Sequence, residues 1–229
     1  MKESERHEIV LTADGSHSVH SARFSVDYHS THGAIQESEH VFIDAGLRPF
    51  LDLGIPEIRI LEMGFGTGLN VLLVRKLARE YPGTFFRYHA LEQFPLDVSE
   101  VRKLNYPVLL NLPLDDLVEL HACPWEQVID LEDNFSLEKR RQNFLLGFPN
   151  WPSSSMDLLF YDAFAPNSQP ELWSPAAIVL CQQILKPGGV LVTYCAKGQY
   201  KRDLKAGGFT VEALPGPPGK REMTRGVKQ

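Results

Sequence analysis

Between Glu62 and Asn70 the chain reads EMGFGTGLN, an acid followed by glycines at alternate positions. Gly64, Gly66 and Gly68 come after a short apolar run, IRILEM, and before an amphipathic one, LNVLLVRKLAREYPG, so they form a strand–loop–helix turn. Glycine suits such a turn because a ligand approaches the backbone with no Cβ in its way. The spacing is neither the GxGxxG of dinucleotide folds nor the GxxxxGK[ST] of phosphate loops. A carboxylate at Glu62 repels a pyrophosphate but accepts hydrogen bonds from an ammonium group. A ligand with a cationic amino-acid end and no phosphate fits, and S-adenosylmethionine is such a ligand. Glu62, Gly64, Phe65, Gly66, Thr67, Gly68 and Asn70 are its expected contacts; the alternative is a glycine turn with only a packing role.

Two further acids stand at strand ends. Glu92 closes FFRYHALEQ and is placed to accept hydrogen bonds from both ribose hydroxyls, a surface Glu being the alternative; Gln93 after it is a further expected cofactor contact. Asp162 closes MDLLFYDAF, where a carboxylate beside a sulfonium orients an amine nucleophile. Asp162, with Ala163 and Phe164 after it in the same loop, is also an expected cofactor contact, and Phe164 with Pro166 shapes an apolar slot for a flat base. An Asp that merely caps the next turn is the alternative for Asp162. After LVELHAC, read as the third strand, come Cys123, Pro124, Trp125 and Glu126. Trp125 either stacks on adenine or fills core, and Glu126 is a weaker candidate for the adenine amino group.

The elements that must hold these residues alternate between strands and helices from Glu57 onward. IRILEM, FFRYHALEQ, LVELHAC, MDLLFYDAF and VLVTYCA are five strands, with AGGFTVEAL and EMTRGV as the last two. LNVLLVRKLARE, Ser99–Leu104 and SPAAIVLCQQIL (ended by KPGG) are helices. The alternation predicts an α/β fold, a mostly parallel seven-stranded sheet with helices on both faces. Its ligand lies outside the C-terminal strand ends. Residues 1–50 carry β patterning, RFSVDYHS and then HVFIDAG across a turn near His32 and Gly33. They are expected to form an N-terminal β-hairpin extension packed on a main domain of residues 51–229. The segment 126–150 reads as an insertion, and PNWPSSS as a turn before the fourth strand.

Composition is that of a soluble globular chain of 229 residues, 43% hydrophobic and 23% charged. No apolar run is long enough to span a bilayer, and MKESERHEIV lacks a signal-peptide core, so a cytoplasmic location is expected. Cys123, Cys181 and Cys195 form no metal-binding pattern and read as buried, reduced thiols; no metal is expected. The net charge of −6 argues against a surface that coats nucleic acid generally. Yet Lys197–Gln229 holds eight basic and three acidic side chains. That stretch is either a solvated face or a local basic patch for the phosphates of a folded RNA.

Taken in order, GFGTGLN, LEQFPL, FYDAFAPNSQPELW, LKPGG and GKREM, preceded by Gly33, Glu37 and HVFIDAGL, make a specific combination. With them the chain resembles the methyltransferase domain of the bifunctional bacterial enzymes that make 5-methylaminomethyl-2-thiouridine at the tRNA wobble position. The resemblance covers most of the chain. It implies a class I Rossmann-like methyltransferase fold, S-adenosylmethionine as donor, and methylation of the 5-aminomethyl group of uridine 34. Tyr28, Glu37, Phe164, Lys220, Arg221 and Glu222 are the substrate-side candidates. Tyr28 is alternatively hairpin packing, and Lys220 and Arg221 are alternatively solvated turn charges. Two departures stand out. The length suggests the stand-alone form, with no flavin domain, and Pro124 occupies the place of the family's acid after the third strand. The rival readings are a small-molecule amine methyltransferase or aminopropyl transferase, and a non-catalytic binding protein on the same fold.

Overall fold

Short apolar runs broken by Gly, Pro and polar turns dictate an alternation of strands and helices. A computed structural model describes residues 7–148 and 151–229. The charged opening MKESER and Pro149–Asn150 of the PNWPSSS turn lie outside the described residues. Strands β1 (His7–Leu11), β2 (His17–Ser21) and β3 (Val26–Asp27) form a small antiparallel sheet. A continuous helical run follows: α1 (Ala34–Ser38), a π-helical stretch Glu39–Leu47, and α2 (Arg48–Asp52).

The N-terminal β extension is present as the three-stranded sheet, but the helical run corrects the expectation that HVFIDAG is a strand and that the β structure reaches residue 50. Val41, Phe42 and Ile43 are all buried, and the wide π turn brings Gly46 and Leu47 inward as well. A Cβ on Gly46 would sit 2.9 Å from Val192 Cγ2 and 3.3 Å from Phe160. The helix backbone therefore lies directly on the large sheet, which a bulkier residue would prevent.

The large sheet is built from β4 (Glu57–Met63), β5 (Phe85–Leu91), β6 (Val128–Glu132), β7 (Phe135–Arg140), β8 (Met156–Tyr161), β9 (Leu185–Thr193), β10 (Phe209–Pro215) and β11 (Glu222–Lys228). Its order is β10-β11-β9-β8-β4-β5-β7-β6, with β4, β5, β7, β8 and β9 mutually parallel. Strand β11 runs antiparallel between β9 and β10, and β6 adds an antiparallel edge, so the described sheet has eight strands. The intervening helices are α3 (Leu69–Glu80), α4 (Val98–Val101), α5 (Tyr106–Leu109), α6 (Leu114–Ala122), α7 (Pro175–Ile184) and α8 (Gly198–Ala206). One core gathers α3, α6 and the π-helical run on one face, and a second gathers α7 and α8 on the other.

The third parallel strand is not LVELHAC, which forms most of α6, with Leu117, Leu120 and His121 buried at helical spacing. It is β7, FSLEKR, inside the segment read as an insertion, and it pairs with β5 from Phe86↔Phe135 to Leu91↔Arg140. Its charges are compensated one by one. Glu138 is bonded by His89 (2.8 Å) and paired with Arg140, while Lys139 donates to the His121 carbonyl (2.7 Å) and faces the Trp125 ring at 4.6 Å. KPGG is not a loop before β9 but a bulge within it, where pairing passes from Met156↔Leu185 to Leu158↔Val190. Among the described residues no helix is long and apolar enough to cross a membrane. The three cysteines are free and buried.

Candidate active site

The chain leaves β4 for β5 and β7 on one side and for β8 and β9 on the other, so the topological switch point lies between β4 and β8. An open pocket occupies the C-terminal ends of these strands. Its floor is the glycine loop. Gly64 has φ 90°, and a Cβ there would lie 2.7 Å from the Asp162 carbonyl oxygen, so only glycine lets the two strand ends meet. The Gly64 and Phe65 amides donate to the Leu91 carbonyl at 3.0 and 3.2 Å. The Gly66 amide donates to Glu92 Oε2 at 3.0 Å, and Phe94 N to Glu92 Oε1 at 2.8 Å. Each Glu92 oxygen keeps a further acceptor site toward the pocket.

Thr67 is held from two directions. Its hydroxyl lies 2.8 Å from His29 Nε2, and its carbonyl oxygen 3.0 Å from His121 Nε2. Burial pushes both histidines down to about 4, so both rings are neutral near pH 7. Gly68, at the start of α3, lies against His121.

Asn70 joins the buried Glu62 to the half-buried Asp162: its Nδ2 donates to Glu62 Oε1 at 2.8 Å and to Asp162 Oδ2 at 2.9 Å. Burial raises the Glu62 carboxyl well above the ordinary range. Asp162 is pushed up to about 7, first by burial and then by the nearby Glu37 charge, against the Asn70 hydrogen bond and the Lys220 charge. Among the described residues, Glu62 Oε2 and Asn70 Oδ1 find no hydrogen-bond partner, although the Tyr88 hydroxyl lies close to Glu62. Two orphaned acceptors beside one another suit an ammonium group, so the donor set fits the amino-acid end of S-adenosylmethionine.

The loop after β8 is pinned by its neighbours. Asp162 N donates to the Met63 carbonyl (3.2 Å), the Tyr194 hydroxyl to the Ala163 carbonyl (2.7 Å), and Trp173 Nε1 to the Phe164 carbonyl (2.8 Å). Trp173 belongs to PELW, which explains why that motif accompanies the acid. Lys220 forms an ion pair with the buried Glu37, and its ammonium lies 3.9 Å over the Tyr194 ring.

Glu62, Gly64, Phe65, Gly66, Thr67, Asn70, Glu92, Gln93, Asp162, Ala163, Phe164 and Tyr28 all line the pocket. Trp125 does not: it sits behind the floor, edge-on to Phe65 at 6.1 Å and beside Lys139. Glu126 is likewise turned away, accepting from Arg141 N at 2.8 Å. Both were expected at the end of a strand that is in fact a helix. Gln142, Asn143 and Phe144, which follow β7, line the pocket instead. Of the GKREM candidates, Lys220 reaches the Asp162 end through Glu37, Glu222 pairs with Lys201 at 2.7 Å, and Arg221 is exposed. Sequence reasoning passed over His29, Phe24 and Phe94, which also line the pocket. His29 adjoins Tyr28 in RFSVDYHS, and that adjacency was the available signal. Among the described residues no group of three or more His, Cys, Asp or Glu side chains is placed to hold a metal ion.

The fold is that of the class I S-adenosylmethionine-dependent methyltransferases, and a family model described as S-adenosyl-L-methionine-dependent methyltransferase matches residues 129–229. The chain is a homologue of the tRNA 5-methylaminomethyl-2-thiouridine biosynthesis bifunctional proteins MnmC. It is 33% identical to that of Magnetococcus marinus over 219 residues, which is 91% of this chain and 32% of that protein. With that of Aromatoleum aromaticum it shares 31% identity over 228 residues, 95% of this chain and 35% of the relative. The chain thus spans about a third of the length of these curated relatives. The crystal structure of MnmC2 from Aquifex aeolicus superposes with a TM-score of 0.79 at 25% identity, over 100% of this chain and 72% of that one. The spermidine synthase of Thermotoga maritima, at 13% identity and a TM-score of 0.58, over 100% of this chain and 70% of that one, shares the fold.

Proposed function

We propose that this methyltransferase acts on tRNA in the cytoplasm, transferring a methyl group to the 5-aminomethyl nitrogen of the wobble uridine. The observation that carries the reading is homology to the MnmC proteins across nearly the whole chain, with Asp162 of the DAFAP loop lining the pocket. When bound, S-adenosylmethionine supplies an electrophilic methyl group on a sulfonium. Glu62 and Asn70 hold its ammonium, and Glu92 accepts from its ribose hydroxyls. Gln142 and Asn143, the polar side chains just past β7 that line the pocket, take the adenine edge in place of an acid.

Asp162 accepts a hydrogen bond from the substrate amine and aligns its lone pair. An alkyl amine is mostly protonated in water near neutral pH, with a pKa of about 10. A carboxyl held at about 7 is half ionised there, so Asp162 is also poised to take the amine's proton. Glu37 and Lys220 tune that acid from behind. The basic stretch Lys197–Gln229 contributes contacts to RNA phosphates.

The test is transfer of a labelled methyl group from S-adenosylmethionine to tRNA lacking this methyl group, with nucleoside analysis of the product. Label in 5-methylaminomethyl-uridine supports the reading. Cofactor binding with label only in free amines replaces it with the small-molecule alternative, and failure to bind cofactor replaces it with a non-catalytic role.

A further inference from the structure

Four aromatic rings line the pocket on the side nearest the N-terminal sheet: Phe24, Tyr28, Phe94 and Phe164. They form a continuous wall, with ring centroids 5.0 Å apart for Phe24–Phe164 and for Tyr28–Phe164, and 6.0 Å for Phe24–Phe94. The Arg23 guanidinium extends it, 4.1 Å over the Phe94 ring. The wall draws on three separate segments: the β2–β3 hairpin, the turn after β5 and the loop after β8.

Its position and exposure set it apart from core. Phe42, Phe86, Phe135 and Phe160 are all at most 1% exposed, whereas all four wall residues are only half-buried and face the open pocket. Phe24 stands at a hairpin tip where Ser25 takes a left-handed φ of 52°, an uncommon conformation for a residue with a Cβ. The wall runs from Phe94, two residues past Glu92, to Phe164, two residues past Asp162. It therefore flanks the pocket from the end expected to hold ribose to the end expected to hold the reacting amine.

A planar, weakly polar surface beside a methyl-transfer centre has a natural ligand class. Enzymes that modify a base take it out of its stack, and the displaced base regains stacking on aromatic side chains or an arginine plane. We propose that Phe24, Phe94 and Phe164 form a stacking platform for the nucleobase that carries the accepting amine, with Phe24 as the ring delivered by the N-terminal sheet. The proposal rests on the wobble-uridine reading. In it the N-terminal sheet is a specificity element for the substrate, which sequence patterning alone marks only as β structure.

The test measures methyl transfer to undermethylated tRNA and to the free nucleoside 5-aminomethyluridine, alongside calorimetric binding of S-adenosylmethionine. Phe24→Leu keeps the apolar bulk and removes the ring; Phe24→Tyr keeps the ring. The expected result is a KM for both acceptors raised about tenfold in Phe24→Leu. Cofactor affinity should stay within about twofold, and Phe24→Tyr should restore the KM. Cofactor binding by each variant also reports that it has folded. An unchanged KM in folded Phe24→Leu would show that the wall only packs, and overturns the platform. Cofactor affinity that falls as far as the KM rises would assign the wall to the cofactor, and overturns it too. A wild-type protein that binds cofactor yet labels neither acceptor rejects the wobble-uridine reading itself and the platform with it.

Discussion

Asp162 carries the chemistry proposed for this site, and its environment makes the role measurable. Replacing it as Asp162→Asn should lower kcat by about a hundredfold or more while leaving cofactor affinity close to wild type. Because the ionised form accepts the proton, kcat/KM should climb with pH through about 7. A raised carboxyl pKa also has a sign in stability. The folded state holds this proton between about 4 and about 7 and the unfolded state does not, so stability is lost as pH rises through that window. Asp162→Asn should therefore raise the melting temperature more at pH 8 than at pH 5; equal shifts at both would show that burial does not perturb this carboxyl. Asn70 acts on the same group, since its hydrogen bond holds the Asp162 pKa down. Asn70→Ala should move the midpoint of the pH–rate profile upward and weaken cofactor binding, read by kinetics and calorimetry respectively.

At the scale of elements, legibility followed local physics. The glycine loop and the strands ending in Glu92 and Asp162 are readable because apolar residues alternate with half-buried ones in FFRYHAL and run continuously in LLFY, both patterns of a strand. Strand β7 is not, because Glu138, Lys139 and Arg140 interrupt its apolar character, and their burial depends on partners distant in sequence, such as His89 and the His121 carbonyl. Conversely, LVELHAC mimics a strand although Leu117, Leu120 and His121 serve a helix. That exchange displaced Trp125 from the pocket and hid Gln142 and Asn143. HVFIDAG misleads in the same way: its consecutive apolar residues are buried by a π-helical run that needs Gly46 against the sheet. Gly46→Val should consequently destabilise the protein by about 1–3 kcal/mol in urea unfolding, from overpacking against Val192 and Phe160. A change of a few tenths would mean that the helix has room to shift outward.

For the molecule as a whole, charge is distributed unevenly along the chain. The basic stretch beginning at Lys197 includes α8, where exposed Arg202 and Lys205 lie three residues apart and share a face. If this face meets RNA, Arg202→Glu with Lys205→Glu should weaken tRNA binding and flatten its logarithmic salt dependence by about one unit per lost phosphate contact. An unchanged slope would leave the stretch as a solvated surface.

Thr67, clasped between His29 and His121, also sets where the molecule meets its acid limit. Both imidazoles are proton-free in the folded chain down to about 4, yet in an unfolded chain they charge from about 6.5 downward. The stability they contribute is present above about 6.5 and drains away as the pH drops toward about 4, opposite in direction to that of Asp162. Acidification in that window should unfold the protein with uptake of protons by these two rings, measurable by potentiometric titration across the transition. His29→Asn should move the acid midpoint lower; a midpoint that stays in place would put the acid limit elsewhere. One ring belongs to the N-terminal segment and the other to α6, so loss of the cofactor floor and undocking of the N-terminal sheet become a single event.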